Sequence, residues 1–407
     1  MQALSIRHSD CKDICSPLIA GEDVMYVETV MSTNNPDNDF KGKGLTQAQI
    51  VLYFLSPQYP APVHYIRALK KAYPAARLVG CTTGGEIFNT EAFESTSVSV
   101  AMQFNRSEID VAEKKIATPE ESLAVGMELA ERLNKKPGLK LIYILSDGMK
   151  VTGSALVQGL VAGCGKNSDV VVAGGLAGDG TDFRQTGVGV DNLPQEGNIA
   201  AIGFYGDAFQ AACGSVGGWV GFGPERVITK SAGNILYELD GTSALTLYKK
   251  YLGEDADKLP GSALLFPLSL SPPHEQAHSI VRTPFAIDEE TQSLVFSDTI
   301  PQGYVARMMH GSLHNMLDGA AQAAAYALEE VSARNYAPSV ALLVSCIGRN
   351  MMMGQRVSAE VGTVRGLLGD LPIAGFYSYG EICPHPATRK CDLHNQTMTI
   401  TLLGETA

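Results

Sequence analysis

The chain has 407 residues, above the roughly 250–300 at which a single hydrophobic core stops growing, so two domains or lobes are expected. With 45% apolar residues there is ample core, whereas 18% charged residues and a formal net charge of −12 argue against a nucleic-acid backbone or an anionic membrane surface as the main partner. The eight cysteines show no C-x-x-C pair, which excludes covalent c-type haem and fits a reducing compartment; with no apolar run of about 18 residues, the expectation is a cytoplasmic, soluble protein.

Residues 1–45 end in "STNNPDNDFKGKG", a polar, turn-rich stretch that reads as a loop. From about residue 46 a pattern begins that recurs three times. An apolar run ends in Ser ("VLYFLS" at Ser56, "LIYILS" at Ser146, "ALLVS" at Ser345) and a helix-like segment follows. A second apolar run then reaches Gly 24 to 30 residues after the Ser ("RLVG", "VVVAG", "LPIAG"), and an alternating run closes the unit ("SVSVAMQF", "NIAAIGFYG", "TMTITLL"). The unit reads as strand, helix, strand, glycine loop, strand. The expected fold is α/β: two related lobes of mixed sheets with packing helices, built from these units.

The first unit runs to about residue 116 and the second to about 217; the glycine-rich "GSVGGWVGFGPE" at 214–225 marks the boundary, giving domains 1–217 and 218–407. Beyond it, "NILYELDGTSALTLYKKYLG" reads as strand, Asp-Gly turn and helix, with alternating runs at 279–287 and 293–310. The alanine-rich 318–335 has apolar residues at helical spacing and reads as a packed helix before the third unit.

The glycine loops "GCTTGGEI" (80–87) and "GFYSYGEI" (375–382) share one skeleton, and "GGLAGDG" (174–180) is a looser copy. Glycine lets backbone N–H groups approach an anion, but a P-loop needs Lys where Gly85-Glu86 and Gly380-Glu381 carry a carboxylate. The alternatives are tight turns with Glu capping a nearby amide or, for the later copy with Phe376, Tyr377 and Tyr379, a pocket wall. "HEQAH" (274–278) matches the H-E-x-x-H zinc pattern at His274, Glu275 and His278, but "SPP" before it and a strand-like run after it leave barely one helical turn. Cys383, His385, Cys391 and His394 are acceptable soft ligands at a spacing unlike standard fingers. G-x-S-x-G is absent, and Ser215 does not supply one. Cys346 reads as a buried thiol; Arg349, just past its strand, stands where a guanidinium could bind a carboxylate.

Together "YELDGTSALTLYKKYLG", "CIGRN", "GFYSYGEICP" and "LHNQTMTITLL" resemble the C-terminal half of FIST-domain proteins, and "VGCTTGGEI" resembles the N-terminal half. The resemblance covers nearly the whole chain. It implies an intracellular sensory protein rather than an enzyme, one that binds a small ligand, such as an amino acid, and acts on a signalling partner. The narrower likeness is to nitric-oxide-sensing FIST hemoproteins associated with histidine kinases, which implies non-covalent haem b. Carried over, it marks Gly80, Gly84, Gly85 and Glu86 in the first half. In the second half it marks Asp240, Gly241, Cys346, Gly348, Arg349, Gly375, Tyr379, Gly380, Glu381, His394, Asn395 and Thr397. The ligand-binding set is completed by Phe376 and Tyr377. The resemblance leaves the haem ligand open; His394, at a strand start near the aromatic loop, is the first candidate for the iron, with His310 and His314 in reserve. "HEQAH" is no part of the shared pattern, which leaves a zinc hydrolase as the remote alternative.

Overall fold

A computed structural model describes residues 25–165, 168–274, 279–385 and 388–406. The chain is a mixed α/β fold of two lobes, and both halves carry the repeated unit. In the first unit β1 (Tyr26–Ser32) and a short α1 (Pro36–Asp39) precede β2 (Ile50–Leu55), α2 (Pro62–Ala72) and β3 (Arg77–Thr82); β4 (Glu86–Phe88), β5 (Glu91–Phe93) and β6 (Ser97–Gln103) follow. The second contains β7 (Glu108–Lys115), α3 (Ser122–Asn134), β8 (Leu139–Ser146), α4 (Gly153–Cys164), β9 (Val171–Leu176), β10 (Val188–Val190) and β11 (Asn198–Tyr205).

The third unit starts with β12 (Phe209–Val216) and is interrupted by an antiparallel sheet. That sheet is made of β13 (Val220–Ala232), β14 (Ile235–Leu239), β15 (Thr242–Ser243), β16 (Leu268–Ser271), β17 (Ile280–Arg282), β18 (Pro284–Asp288), β19 (Ser293–Phe296) and β20 (Val305–His310), with helix α5 (Ala244–Leu252) inserted after β15. The unit resumes with α6 (Leu313–Arg334), β21 (Val340–Cys346), α7 (Ile347–Met353) and α8 (Ser358–Leu368). It ends with β22 (Ile373–Ser378), β23 (Gly380–Pro384), β24 (Cys391–His394) and β25 (Met398–Glu405). The expected Asp-Gly turn is present, with Asp240 and Gly241 both at positive φ between β14 and β15, and the alanine-rich segment is α6, burying Ala320, Ala323, Ala324 and Ala327.

Each unit builds the same three strands. β2 and β3 are parallel with β6 antiparallel beside β2; β8, β9 and β11 repeat this, as do β21, β22 and β25. The glycine that opens each loop has one physical cause. A Cβ at Gly80, Gly174 or Gly375 would sit 2.1, 1.9 or 1.8 Å from the carbonyl oxygen of Tyr53, Ile144 or Leu343, its register partner on the neighbouring parallel strand.

After the glycine loops the units exchange strands. β4 and β5 leave the first unit and extend the sheet of the third, order β12-β25-β21-β22-β4-β5. β10 of the second closes the sheet of the first, order β1-β6-β2-β3-β10, and β23 and β24 of the third extend that of the second, order β24-β23-β9-β8-β11-β7. The core is shared accordingly: Phe54 of the first unit stacks on Phe376 of the third with ring centroids 4.9 Å apart.

Gly375→Ala is expected to cost at least about 3 kcal/mol, because the clashing atom is strand backbone. Gly366→Ala, on α8 with nothing within 4 Å of the added carbon, is expected to be neutral or slightly stabilising. Urea denaturation midpoints of the two variants check this; equal midpoints would remove the packing argument.

Candidate functional site

The three glycine loops meet: the Gly84 N–H donates to the Tyr377 carbonyl at 2.7 Å, the Tyr377 N–H to the Gly85 carbonyl at 2.8 Å, and the Gly178 N–H to the Thr82 carbonyl at 3.0 Å. Gly84 and Gly85 border a polar cavity of about 250 Å³ with Ser56, Thr83, Asp179 and Asn350. Gly80 lies inside the first sheet. Glu86 and Glu381 are fully buried and pin their loops in the same way. Glu86 accepts from the Thr83 hydroxyl, from the Thr96 backbone N–H at 3.1 Å and from the Thr96 hydroxyl at 2.7 Å. Glu381 accepts from Ser378 Oγ at 2.6 Å, from the Thr397 N–H at 3.1 Å and from Thr397 Oγ1 at 3.0 Å. Both carboxylates therefore cap an amide and staple a glycine loop to the following alternating segment.

A cavity of about 380 Å³ opens where the second unit, the third unit and the antiparallel sheet meet. Of the residues singled out from sequence, it gathers Cys346, Gly348, Tyr379 and Asn395. Tyr379 stacks on Phe183 with centroids 4.8 Å apart and donates its hydroxyl to Asp179, whose carboxylate also accepts the N–H groups of Phe183, Arg184 and Gln185. Cys346 ends β21, and burial pushes its thiol up, so it is held protonated.

Phe376 and Tyr377 belong to the core rather than to this wall: Phe376 is sealed against Phe54, and the Tyr377 hydroxyl reaches Glu360 at 3.3 Å. Gly380 packs under Leu176 and Leu393. Arg349 is wholly buried beneath the cavity floor. Its Nε donates to Glu360 Oε1 at 2.7 Å, one terminal nitrogen donates to the same carboxylate and to the Met316 carbonyl at 2.9 Å, and the other reaches the Gly217 carbonyl. The carboxylate expected to meet this guanidinium is thus the chain's own.

Sequence reasoning missed Gln396, Asp298, Thr283, Phe285 and Met149, all in the wall. Gln396 follows Asn395 in the "HNQTMT" motif and was within reach; the others carry no local signal, since Asp298, Thr283 and Phe285 come from the antiparallel sheet. Gln396 holds φ +66°, in the left-handed region. Its amide lies flat on Gly348, where a Cβ would come within 2.4 Å of Nε2. Nε2 donates to the Leu264 carbonyl at 2.9 Å, whereas the buried Oε1 has no partner, nor does the buried Thr283 hydroxyl. Leaving such a buried group unpaired costs about 1–3 kcal/mol, which makes the pair a mark of a site completed by something else. Asp298 accepts from the Ser154 N–H at 2.7 Å and Oγ at 2.6 Å, capping the start of α4. Two of the chain's exposed large apolar side chains, Met149 (40%) and Phe285 (37%), line the same opening from the second unit and the antiparallel sheet.

His394 is not in this wall. Its Nε2 is hydrogen-bonded to the Cys383 carbonyl at 2.9 Å, its ring stacks 6.1 Å from that of His385, and burial pushes its basicity down. No histidine is among the described residues that line the cavity, so the residues there do not fit a histidine-ligated haem. His310 packs its ring against Phe222, and His314 pairs with Asp318 on α6. Among the described residues no group of three or more His, Cys, Asp or Glu side chains is placed to hold a metal ion. Of the H-E-x-x-H match, His274 is at φ +68°, not helical, and Glu275 and His278 lie outside the described residues.

Comparison with known proteins gives a family model of the FIST N domain matching residues 49–242 and one of the FIST C domain matching 244–384. No curated protein sequence matches the chain. Among solved structures, a cyanuric acid hydrolase from A. caulinodans aligns over 94% of this chain and 99% of its own, at 9% identity and a TM-score of 0.38. A second cyanuric acid hydrolase, described as an evolutionary innovation by structural concatenation, aligns over 94% and 100%, at 8% identity and a TM-score of 0.34.

Two predictions follow from the buried charges. Burial raises the Glu86 carboxyl to about 7 and that of Glu381 to about 8, above the roughly 4.3 of an unfolded glutamate. Between these values the folded chain holds protons that the unfolded chain releases, so the contribution of these two groups to stability is greatest below about pH 4.5 and declines as pH rises to about 8. The slope approaches about 1.4 kcal/mol per pH unit for each group. Glu381→Gln should flatten that slope by one group's share in urea titrations at acid, neutral and alkaline pH; an unchanged slope would refute the assignment. Arg349→Met should cost about 3–5 kcal/mol by stranding Glu360, and adding Glu360→Met should recover part of it. A double variant as unstable as the sum of the singles would rule out the pairing as the cause.

Proposed function

Because the chain belongs to the FIST family, its N and C domains in tandem, we propose that it is a small-ligand sensor whose ligand occupies the cavity lined by Tyr379, Gln396 and Phe285. FIST domains are associated with small-ligand sensing in signalling. The observation that carries the choice of site is the buried Gln396 Oε1 without a partner in the cavity wall. The volume is in the range of small-molecule sites, and the wall mixes aromatic rings with a few polar groups.

The site binds rather than turns over its ligand. Its one thiol is held protonated, and the Asp298 carboxylate in its wall is taken up by the Ser154 N–H and hydroxyl. A ligand spanning Met149 and Phe285 ties the antiparallel sheet to the second unit, and the change in that contact is the signal read by a signalling partner. A histidine kinase in the cytoplasm is the partner implied by the family likeness. No helix among the described residues is long and apolar enough to cross a membrane.

Thermal denaturation of the full chain against a library of small metabolites tests this. A ligand at about 100 times its Kd is expected to stabilise the protein by about 2.7 kcal/mol. Phe285→Ala should weaken it about tenfold while leaving the unliganded melting temperature nearly unchanged, because the ring is already partly exposed. A library without any stabilising compound, together with protein that carries no small molecule when purified, would overturn the reading.

A further inference from the structure

The cavity's chemistry is one-sided, and the side it takes identifies a ligand class. The N-terminal end of α4 lies beside the wall residue Thr152, a position that ordinarily favours an anion. It is already occupied from within, because the carboxylate of Asp298 takes the Ser154 N–H. No cationic side chain is among the described wall residues, whereas Glu120 and Asp298 both are. Arg282, next to the wall residue Thr283, donates one terminal nitrogen to the carbonyls of Val281 at 3.1 Å and Leu393 at 3.3 Å; its buried Nε has no partner, and the residue is not part of the wall.

The buried wall groups left without a partner are the Thr283 hydroxyl, which can donate or accept, and Gln396 Oε1. Gln396 Oε1 accepts only, is fully buried and is unpaired. The two oxygens of Asp298 lie in a nearly dry place and accept from Ser154 and from the Thr299 N–H. Phe183, Phe285 and Tyr379 add aromatic surface to the same wall, which suits an apolar or aromatic body. Resting on the cavity as the sensor site, we infer that its ligand is a small organic amine, bound as the ammonium ion, with an apolar body and no acidic group. Gln396 Oε1 accepts from the ammonium, the carboxylates of Asp298 and Glu120 supply the field, and the aromatic rings hold the body. A carboxylate or phosphate on the same ligand would meet Asp298 and Glu120 with no counter-charge in the wall, so a zwitterionic amino acid binds less well than the corresponding amine.

Three probes of one shape separate these cases in calorimetric titrations of the full chain: 2-phenylethylamine, phenylalanine and 3-phenylpropanoate. The expected result is that the amine binds at least about tenfold tighter than either acid. Gln396→Met, with its fold checked by circular dichroism, should abolish most of that preference. The ranking in the wild-type chain stands as a test even where the variant does not fold. Equal or tighter binding of phenylalanine or 3-phenylpropanoate overturns the amine inference and leaves the sensor site intact. If the metabolite screen finds a ligand weakened by Phe285→Ala but none of the three probes binds at millimolar concentration, the amine inference alone falls. If the screen also finds nothing, both fall.

Discussion

Every sheet edge left by a glycine loop in this protein is closed by strands from another unit. A lone unit of two parallel strands and one antiparallel strand would expose a row of unpaired N–H and C=O groups beside its second parallel strand. Here β10 covers β3, β23 covers β9, and β4 covers β22. The exchange makes the three units interdependent: none can complete its sheet without another, although they lie far apart in the chain. It also fixes where loops and chain crossings lie, and therefore where space is left between units.

The buried carboxylates make this exchange stable at the crossings. Glu86 and Glu381 each bind the hydroxyl three residues before them and both polar groups of a threonine near the start of the closing strand. A loop that changes sheets is thereby tied at both ends. In the third unit the tie extends downwards. Arg349 on α7 joins Glu360 on α8, the Gly217 carbonyl before the antiparallel sheet and the Met316 carbonyl on α6. Trp219 Nε1 donates to the Gln396 carbonyl at 3.0 Å beside it. The polar cluster that looks from sequence like a ligand-binding set is in large part the scaffold on which Gln396 is presented to the cavity.

That placement links the cavity to the parts of the molecule most able to respond to it. The antiparallel sheet contributes Thr283, Phe285 and Asp298 to the wall, and Asp298 caps a helix of the second unit across the opening. Occupancy of the cavity therefore bears on how the inserted sheet sits against the paired units, through one helix cap and two partly exposed apolar side chains. A ligand shifts such an arrangement only by the difference in its affinity for the alternatives.

The sequence by itself determined the units, since alternation, apolar runs and the recurring glycine are local consequences of strand geometry and of one close approach repeated at Gly80, Gly174 and Gly375. It also singled out Cys346, Gly348, Tyr379 and Asn395, which lie on local motifs and reach the cavity. The tertiary structure alone decided that Phe376 faces Phe54 rather than a ligand, that Arg349 spends its charge on Glu360, and that Asp298, Thr283 and Phe285 complete a wall begun by residues from 119 to 396. The physical reason is that burial and pairing depend on which edges meet. Strand exchange joins segments separated by up to several hundred residues, and no periodicity within a segment records which other segment will cover it.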